Sequence, residues 1–319
     1  KLEKKTYRNM KRKAKKWTER ASRIDKRSKR QAEKMSDLSE DYDVPTLILP
    51  FDDDAERPRG ALFCNWQDLH IGRRRYRDDT GLEQYQEDLL SGADKLFGRA
   101  AMTTTLDKIY VVVGADLSHA DTYEGETTRG TPQDCVANPT EIEEACEDFM
   151  VRAIDKARQA LKAHSPDATV ELVPVFGNHD RKTSFSIYRF LYAWYHDVDG
   201  VEVPLDYDER VYRQYRNWFI SATHGDVTKK QMRKMPRIMM QESRDIFAAT
   251  EQMVLYTGHL HEEVVKVDAG VRQHQAPSPA QPDRYDNRNA YVGQPKVLPG
   301  HILFADSPDD QYLNAGILS

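Results

Sequence analysis

Polar side chains follow several of the apolar runs in this sequence, at the points where strands would end. The run at residues 170–176 is typical of a buried strand, and it is followed by Gly177, Asn178, His179 and Asp180. Gly-Asn alone is an ordinary turn dipeptide, but four other apolar runs end in the same kinds of residue. In open α/β sheets, ligands bind beyond the carboxyl ends of the strands. The pattern therefore predicts a sheet whose strand ends converge on a chemical site.

The other four strand ends carry carboxylate and imidazole groups. They supply Asp68 and His70 after residues 61–67, Asp116 and His119 after 106–113, His224 after 218–222, and His259 and His261 after 253–256. Side chains of an extended segment alternate, so the two members of each Asp-x-His or His-x-His pair are expected on one side of the chain. Carboxylate, imidazole and amide oxygen ligands together suit Mn²⁺, Fe²⁺ or Zn²⁺, and the lack of cysteine ligands argues against a structural zinc site.

Helical patterns separate the first three strands. Helices are predicted at residues 81–100, from a capping box formed by Thr140 and Glu143, and at 185–195. Strand and helix alternation of this kind predicts parallel strands joined by right-handed crossovers.

The second half of the chain predicts a strand-rich layer. Short strands are expected at residues 201–203, 211–215 and 218–222. The polar segment at 121–139 is long for a plain connection, which favours a functional loop. The Pro-rich, charged segment at 276–289 has no assignment from the sequence.

The first 40 residues differ in charge from the rest. They contain 16 Lys and Arg against 6 Asp and Glu, so they carry a net charge of +10 and residues 41–319 carry −15. Apolar residues recur there at spacings of three and four, as in the heptad seam of a long helix. We expect this basic, coiled-coil-like helix at 1–40 to form a homodimer, dock on a partner or contact nucleic acid, and a helix packed on its own domain is the alternative. A linker at 41–60 then leads into a catalytic domain at 61–319.

Composition argues against some classes of protein. The longest apolar runs have six to eight residues, whereas a helix needs about 20 to span a bilayer, and no signal peptide is recognisable. The cysteines Cys64, Cys135 and Cys146 are odd in number and lack a Cys-x-x-Cys spacing, which favours a reducing compartment. We therefore expect a cytoplasmic protein with no membrane partner.

The five motifs, in this order, resemble those of the calcineurin-like metallophosphoesterase superfamily over residues 61–265. The resemblance implies a four-layer α/β/β/α sandwich that binds two divalent metal ions, with Mn²⁺ expected and Fe²⁺ or Zn²⁺ as alternatives. It implies that Asp116 bridges the ions and that a metal-bridging hydroxide is the nucleophile. The remaining ligands divide into two sets: Asp68, His70 and His261 for one ion, and Asn178, His224 and His259 for the other.

The resemblance also implies catalytic roles for residues beside the ligands. His179 would stabilise the phosphoryl transition state or protonate the leaving oxygen, and a purely structural role is the alternative. Asp180 would orient His179. His119, three residues after Asp116, is similar to the histidine of recombination-repair nucleases, whereas protein Ser/Thr phosphatases carry Asp-Arg there. One departure is Ala115, since the family has Gly directly before the bridging Asp.

The segment at residues 127–134 looks like a loop of phosphoesterases of phage and prophage origin. Within it, Arg129 is a candidate for binding a substrate phosphate, and a solvated arginine is the alternative. The predicted function is hydrolysis of phosphodiesters, with DNA the favoured substrate because of His119 and the basic helix. One alternative is a phosphodiesterase or phosphatase for nucleotides or cyclic nucleotides, which the acidic body favours. The other is a non-catalytic binding or assembly protein with a degenerate metal site.

Overall fold

The computed structural model describes residues 57–77, 80–162, 165, 167–206, 208–227, 229–291 and 293–317. The predicted basic helix at 1–40 and residues 41–56 of the predicted linker lie outside this range, so the domain boundaries stay predictions. The helices are α1 (Leu82–Thr103), α2 (Pro139–Lys162), α3 (Arg181–Tyr195), α4 (Lys229–Met232), α5 (Met235–Glu242), α6 (Arg244–Ala249) and α7 (Arg284–Arg288). The strands are β1 (Arg59–Cys64), β2 (Thr105–Gly114), β3 (Thr169–Val175), β4 (Val201–Glu202), β5 (Val211–Tyr215), β6 (Trp218–Ala222), β7 (Gln252–Thr257), β8 (Val264–Asp268), β9 (Val271–Gln275), β10 (Val297–Phe304) and β11 (Asp310–Gly316).

Six strands form one sheet, here called sheet I, in the order β11-β10-β1-β2-β3-β4. Strands β1 to β4 are parallel, and β10 and β11 are antiparallel additions at the edge. Helices α1, α2 and α3 connect successive parallel strands and pack against the sheet. Because parallel strands run in the same direction, the carboxyl ends of β1, β2 and β3 meet at one edge. The alternation predicted from the sequence is confirmed.

The other five strands form sheet II, in the order β5-β6-β7-β9-β8. Apolar side chains of the two sheets meet in a core where the rings of Phe63 and Tyr256 stack with 3.8 Å between centroids. On the outer face of sheet II, Met235 and Met239 of α5 cluster with Phe219. Each such buried side chain contributes about 1.5–3 kcal/mol to folding. The layers therefore follow the order helix, sheet, sheet, helix, and the predicted α/β/β/α fold class is confirmed.

One predicted strand belongs to a different layer. The segment at residues 201–203 was expected in the second layer, but β4 pairs in parallel with β3 of sheet I, with Val201 beside Val170. The chain still follows the strand–helix–strand crossover pattern at this point, because α3 returns it to the edge of the sheet it came from. The move into sheet II begins only with β5.

The first strand is also shorter than predicted at its carboxyl end. It was expected over residues 61–67, but it covers Arg59–Cys64. Beyond Cys64, the backbone N–H groups of Trp66 and Gln67 donate to the carbonyl oxygens of Cys64 and Asn65 rather than to a neighbouring strand. The chain therefore leaves the sheet before it reaches the first metal-binding motif.

The capping box of α2 lies two residues earlier than predicted. Asn138 Oδ1 accepts hydrogen bonds from the backbone N–H groups of Thr140 and Glu141, both at 3.1 Å. The Glu141 carboxylate accepts from the backbone N–H of Asn138, also at 3.1 Å. The box assigned to Thr140 and Glu143 is therefore wrong, because Pro139 occupies the first helical position, which favours proline, and so starts the helix earlier.

The three cysteines are free thiols, and Cys64 and Cys146 are buried. Among the described residues, no helix combines the length and apolar character that crossing a membrane requires.

Candidate metal centre

Left-handed backbone positions, rather than strand alternation, place the predicted metal ligands. Asp68 and His70 have φ of 58° and 46°, and His259 and His261 have φ of 72° and 56°. These values are uncommon for residues other than glycine, and they cluster at functional sites. The expectation that each pair lies on one side of an extended segment was therefore right in outcome for the Asp68–His70 pair but wrong in mechanism.

Backbone hydrogen bonds fasten the strand-end loops to one another. The N–H groups of Asp68 and His70 donate to the carbonyl oxygens of Ala115 and Asp116, both at 2.8 Å, and the N–H of Ala115 donates to Val175 at 2.6 Å. Ala115 itself has φ of 54°, so it adopts the left-handed conformation that glycine would take at lower cost. The departure from the family pattern therefore leaves the turn intact.

Two glycines let carboxylates approach the backbone closely. A Cβ on Gly177 would lie 1.9 Å from Asp116 Oδ1, and a Cβ on Gly258 would lie 2.3 Å from Asp68 Oδ2. The space is used for charge-assisted hydrogen bonds, because the N–H of His179 donates to Asp116 Oδ1 at 2.7 Å and that of His259 donates to Asp68 Oδ2 at 2.7 Å. Each carboxylate keeps its other oxygen for the site.

The first predicted ligand set is brought together. Asp68 Oδ1 lies 3.4 Å from His261 Nε2, which in turn lies 3.0 Å from His70 Nε2. The three ligand atoms are within 4.8 Å of one another. Asp68 is fully buried, and its Oδ1 has no hydrogen-bond partner among the described residues. Lone pairs that converge without partners are the arrangement expected around a cation.

The second predicted set gathers around His224. His224 Nε2 lies 3.2 Å from Asp116 Oδ2 and 3.1 Å from Asn178 Oδ1. The His259 ring packs against that of His224, with 5.1 Å between centroids. Ligand atoms of Asp68, Asp116 and His224 are also within 4.8 Å of one another, so the two sets are contiguous. This donor set of carboxylates, imidazoles and one amide oxygen fits first-row dications.

His224 and Asp116 interact electrostatically within the centre. Burial alone would lower the pKa of His224, but the Asp116 carboxylate raises it to about 9. Burial would likewise raise the pKa of Asp116, yet the neighbouring His224 holds it below its ordinary value. Burial, followed by His179 and His261, lowers the pKa of His70 well below 6.5. The Asp116 carboxylate thus favours the charged form of His224, whereas burial favours the neutral form of His70.

His179 lies beside the predicted ligands, and one of its ring nitrogens faces a backbone carbonyl group. Its Nδ1 is 3.3 Å from the carbonyl oxygen of His119, to which it can only donate. The ring makes an edge contact with His70, at 4.8 Å between centroids, and stacks on His119 at 5.6 Å. Because His179 is only partly buried, its Nε2 is the atom left to meet a substrate.

His119 and Asp180 lie farther from the surface than His179, behind the predicted metal ligands. His119 is 1% exposed, with Nδ1 3.3 Å from His70 Nδ1 and no hydrogen-bond partner for Nε2 among the described residues. Asp180 accepts from the backbone N–H groups of Asp116 and Ser118, at 3.1 and 3.0 Å. Burial, and then Asp116, raises the pKa of Asp180 to about 7. These contacts support the loop that carries Asp116, and an influence of Asp180 on His179 would pass through that loop.

Arg129 lies at the rim of the centre. Its side chain is 79% exposed, and its guanidinium is 3.8 Å from the carboxylate of Asp226, two residues after His224. The loop that carries it is tied to the site at other points, since Thr128 Oγ1 accepts from the backbone N–H of Arg181 at 3.2 Å. The predicted functional loop therefore borders the centre.

Three residues that support the first ligand loop were not indicated by any sequence pattern. Ser278 Oγ donates to the carbonyl oxygen of Asp68 at 2.7 Å, and Lys296 Nζ donates to the carbonyl oxygens of Ser278 and Ala280 at 3.3 and 2.6 Å. Arg73 forms ion pairs with Asp283 and Asp286. The unassigned segment at 276–289 thus packs against the loop of the Asp68 motif. No spacing connects these residues to a motif, so no sequence signal could have found them.

Of the three comparisons made with known proteins, only the one with solved structures matches this chain. No protein-family model matches it, and no curated protein matches it significantly. Matching solved structures include YfcE, a phosphoesterase from E. coli, with 12% identity, a TM-score of 0.37 and coverage of 81% of this chain and 100% of that one. A predicted phosphoesterase from Streptococcus pneumoniae covers 82% and 99% at 11% identity and a TM-score of 0.32. Vacuolar protein sorting 29 from Cryptosporidium parvum covers 81% and 97% at 13% identity and a TM-score of 0.31. At these values the likeness supports no statement about activity.

Proposed function

We propose that the protein hydrolyses phosphodiesters with two divalent metal ions and that DNA is its substrate. The observation that carries the proposal is the convergence of seven predicted ligands, from strand ends of both sheets, on one site. Asp116 is central to it, since its Oδ2 faces His224 at 3.2 Å while its Oδ1 is fixed by the N–H of His179 at 2.7 Å. A site built only for stability would not leave Asp68 Oδ1 buried without a hydrogen bond.

The chain's own residues divide the work of the reaction. Two bound dications would activate water and offset charge on the phosphoryl oxygens. Asp68, His70 and His261 would hold one ion, Asn178, His224 and His259 the other, with Asp116 between them. His179 Nε2 would hydrogen-bond the leaving oxygen and give it a proton, since Nδ1 is occupied by the carbonyl oxygen of His119. Arg129, at the rim, would pair with a phosphate of the bound strand.

Two features support DNA over a smaller phosphodiester. His119 occupies the place of the histidine in recombination-repair nucleases, and it packs against both His70 and His179. The net charge of +10 in residues 1–40 offers phosphate contacts. A homodimer formed through this helix would present two such arms. A change from dimer to monomer in light scattering after deletion of residues 1–40 would support it, and an unchanged oligomeric state would reject it.

A substrate panel tests the proposal. With Mn²⁺, the purified full chain should cleave bis(p-nitrophenyl) phosphate and single- or double-stranded DNA, and EDTA should stop both reactions. Asp116→Asn should lower kcat at least 100-fold, whereas the exposed His196→Ala should not change it. Activity on bis(p-nitrophenyl) phosphate or cyclic nucleotides with intact DNA would replace the DNA assignment by a nucleotide phosphodiesterase. No hydrolysis of any ester by metal-loaded protein would overturn the enzyme itself and favour a binding or assembly role.

The nucleotide alternative rests on one specific observation. Residues 41–319 carry a net charge of −15, and a body of that charge repels long polyanions. A decrease in DNA cleavage after deletion of residues 1–40, with bis(p-nitrophenyl) phosphate hydrolysis unchanged, would show that the basic arm overcomes this repulsion. Hydrolysis of bis(p-nitrophenyl) phosphate both before and after the deletion, with DNA left intact by both forms, would favour the alternative.

A further inference from the structure

A second group of metal-binding side chains lies between the two sheets, near the edges formed by β8 and β11. His274 on β9, His301 on β10 and Asp310 on β11 have ligand atoms that all lie within 4.8 Å of one another. None of the three belongs to a strand-end motif or to the centre described above. Since β9 is in sheet II and the other two strands are in sheet I, the group bridges the sheets.

His274 is the unusual member of this group. It is 3% exposed, and neither Nδ1 nor Nε2 has a hydrogen-bond partner among the described residues. A buried polar atom without a partner destabilises the fold, so a ring with two such atoms needs an explanation. Burial, and then His301, lowers the pKa of His274 to about 3. The ring is therefore neutral near pH 7 and keeps one nitrogen lone pair for a ligand.

His301 is held in the orientation of a metal ligand. It is 1% exposed, and its Nδ1 lies 2.6 Å from the hydroxyl group of Tyr256. Its Nε2 lies 2.8 Å from Asp310 Oδ2, and its ring is 4.2 Å from that of His274 between centroids. A partner on the far nitrogen is the usual way in which proteins orient a ligating imidazole.

Asp310 completes the group and has its own supporting contact. Its carboxylate pairs with the guanidinium of Arg272, which lies on the same strand as His274. Hydrogen bonds from nearby groups commonly fix a ligating carboxylate. The positive charge of Arg272 also opposes a second cation, so binding at this site should be weaker than at the centre formed by the strand ends.

We propose that His274, His301 and Asp310 bind one Zn²⁺ ion that joins the two sheets. Two imidazoles and one carboxylate are a common zinc donor set, with solvent in the fourth position. Metal–ligand distances of about 2.0–2.2 Å place tetrahedral ligands about 3.4 Å apart, so the gap between His301 and Asp310 opens slightly on binding. Asp310 can move because it is partly exposed at the start of an edge strand.

Metal counting in matched variants tests the proposal. The full chain is saturated with Zn²⁺ and desalted, and zinc per chain is measured by inductively coupled plasma mass spectrometry. His274→Gln should contain one ion fewer per chain than the wild type, with phosphodiesterase activity unchanged. His196→Gln, which alters an exposed imidazole beside Asp197, should contain the same number as the wild type. Because the result is a difference, it stands whether or not the other centre is active.

Two further measurements keep the test decisive if His274→Gln does not fold. Asp310→Asn provides the same comparison. Cobalt substitution of the wild type should also give visible absorption bands, and the part of them that comes from this site should be missing in Asp310→Asn. One zinc ion fewer in a folded variant than in the wild type would support the proposal. Equal metal content in the wild type and a folded variant would overturn it.

Discussion

His179 is the side chain in the centre whose surroundings favour proton transfer. Its Nδ1 meets the carbonyl oxygen of His119, and the ring is partly exposed. We expect His179→Ala to lower kcat for a DNA oligonucleotide by about 10²–10⁴-fold. The loss should be smaller for bis(p-nitrophenyl) phosphate, because p-nitrophenolate leaves without a proton.

Steady-state kinetics on both substrates check this expectation. The metal content of the variant, measured in parallel, should equal that of the wild type, and His196→Ala serves as the control histidine. An equal loss on both substrates would contradict proton donation and would assign His179 to binding of the phosphoryl group.

Lys296 gives the protein a pH dependence of stability in the alkaline range. Burial, and then the nearby Arg73, lowers the pKa of Lys296 from 10.5 to about 8. The unfolded chain therefore binds more protons than the folded one between these values, so the free energy of unfolding should rise with pH from about 8 to 10.5. Lys296→Gln should remove this rise, and Lys266→Gln on the exposed strand β8 should keep it. Urea unfolding across this pH range measures the difference, and identical slopes in both variants would contradict the assignment.

At the scale of elements, the sequence-based prediction and the structure differ in which residue caps the start of α2. Asn138 accepts two backbone N–H groups there, whereas Thr140 already lies inside the helix. Asn138→Ala should lower the free energy of unfolding by about 1 kcal/mol. Thr140→Ala should change it by less than about 0.5 kcal/mol. Chemical denaturation of the two variants checks this, and the reverse order of effects would restore the capping box first assigned to Thr140.

The turn between β3 and α3 depends on one glycine. A methyl group on Gly177 would overlap Asp116, with Cβ 1.9 Å from Oδ1 and 2.3 Å from the backbone nitrogen. Gly177→Ala should therefore displace the Asp116 carboxylate, reducing metal content and lowering kcat by roughly 100-fold or more. Gly316→Ala is the control, because nothing lies within 4 Å of its added Cβ. Wild-type metal content and activity in Gly177→Ala would contradict this prediction, because they would show that the loop accommodates the methyl group without displacing Asp116.

The elements that could be predicted from the sequence are those with local signals. The strands before each motif show as apolar runs, and the residues that follow them stand out because they are polar. The positions of Arg73, Ser278 and Lys296 could not be predicted from the sequence. Each residue acts through a contact with another segment of the chain, and none of them belongs to a periodic pattern. The left-handed backbone conformation of His259 could not be predicted from the sequence either, because only the neighbouring loop requires that conformation.

At the scale of the molecule, the metal centre connects the two sheets. Asp68 and Asp116 follow strands of sheet I, and His224 and His261 follow strands of sheet II. Ions that bind only the folded state at 100 times their dissociation constant stabilise it by about 2.7 kcal/mol each. Removal of both Mn²⁺ ions by EDTA should therefore lower Tm by roughly 10–20 °C.

Differential scanning fluorimetry with and without the chelator measures this shift. Asp116→Asn should show a much smaller change, because it binds the ions poorly from the start. An unchanged Tm in wild-type protein that EDTA has demonstrably stripped of metal would contradict a linkage between the ions and folding.

The whole-molecule arrangement was only partly predictable. The parallel strands followed from the alternation, and the α/β/β/α order was implied by the family resemblance, but neither indicated the return of β10 and β11 to sheet I. Strand β10 pairs with β1 across more than two hundred residues, and β11 pairs with β10. The apolar pattern of both strands fits either sheet. The same limit hid the group formed by His274, His301 and Asp310, which only the packing of the two sheets assembles.

The backbone ties between the strand-end loops have a consequence for how such a protein can diversify. Because main-chain groups of Ala115, Asp116 and Val175 fix where each loop sits, a donor side chain can be exchanged for another of similar reach while its neighbours stay in register. Selection can then adjust the preferred metal one position at a time, with the scaffold left unchanged.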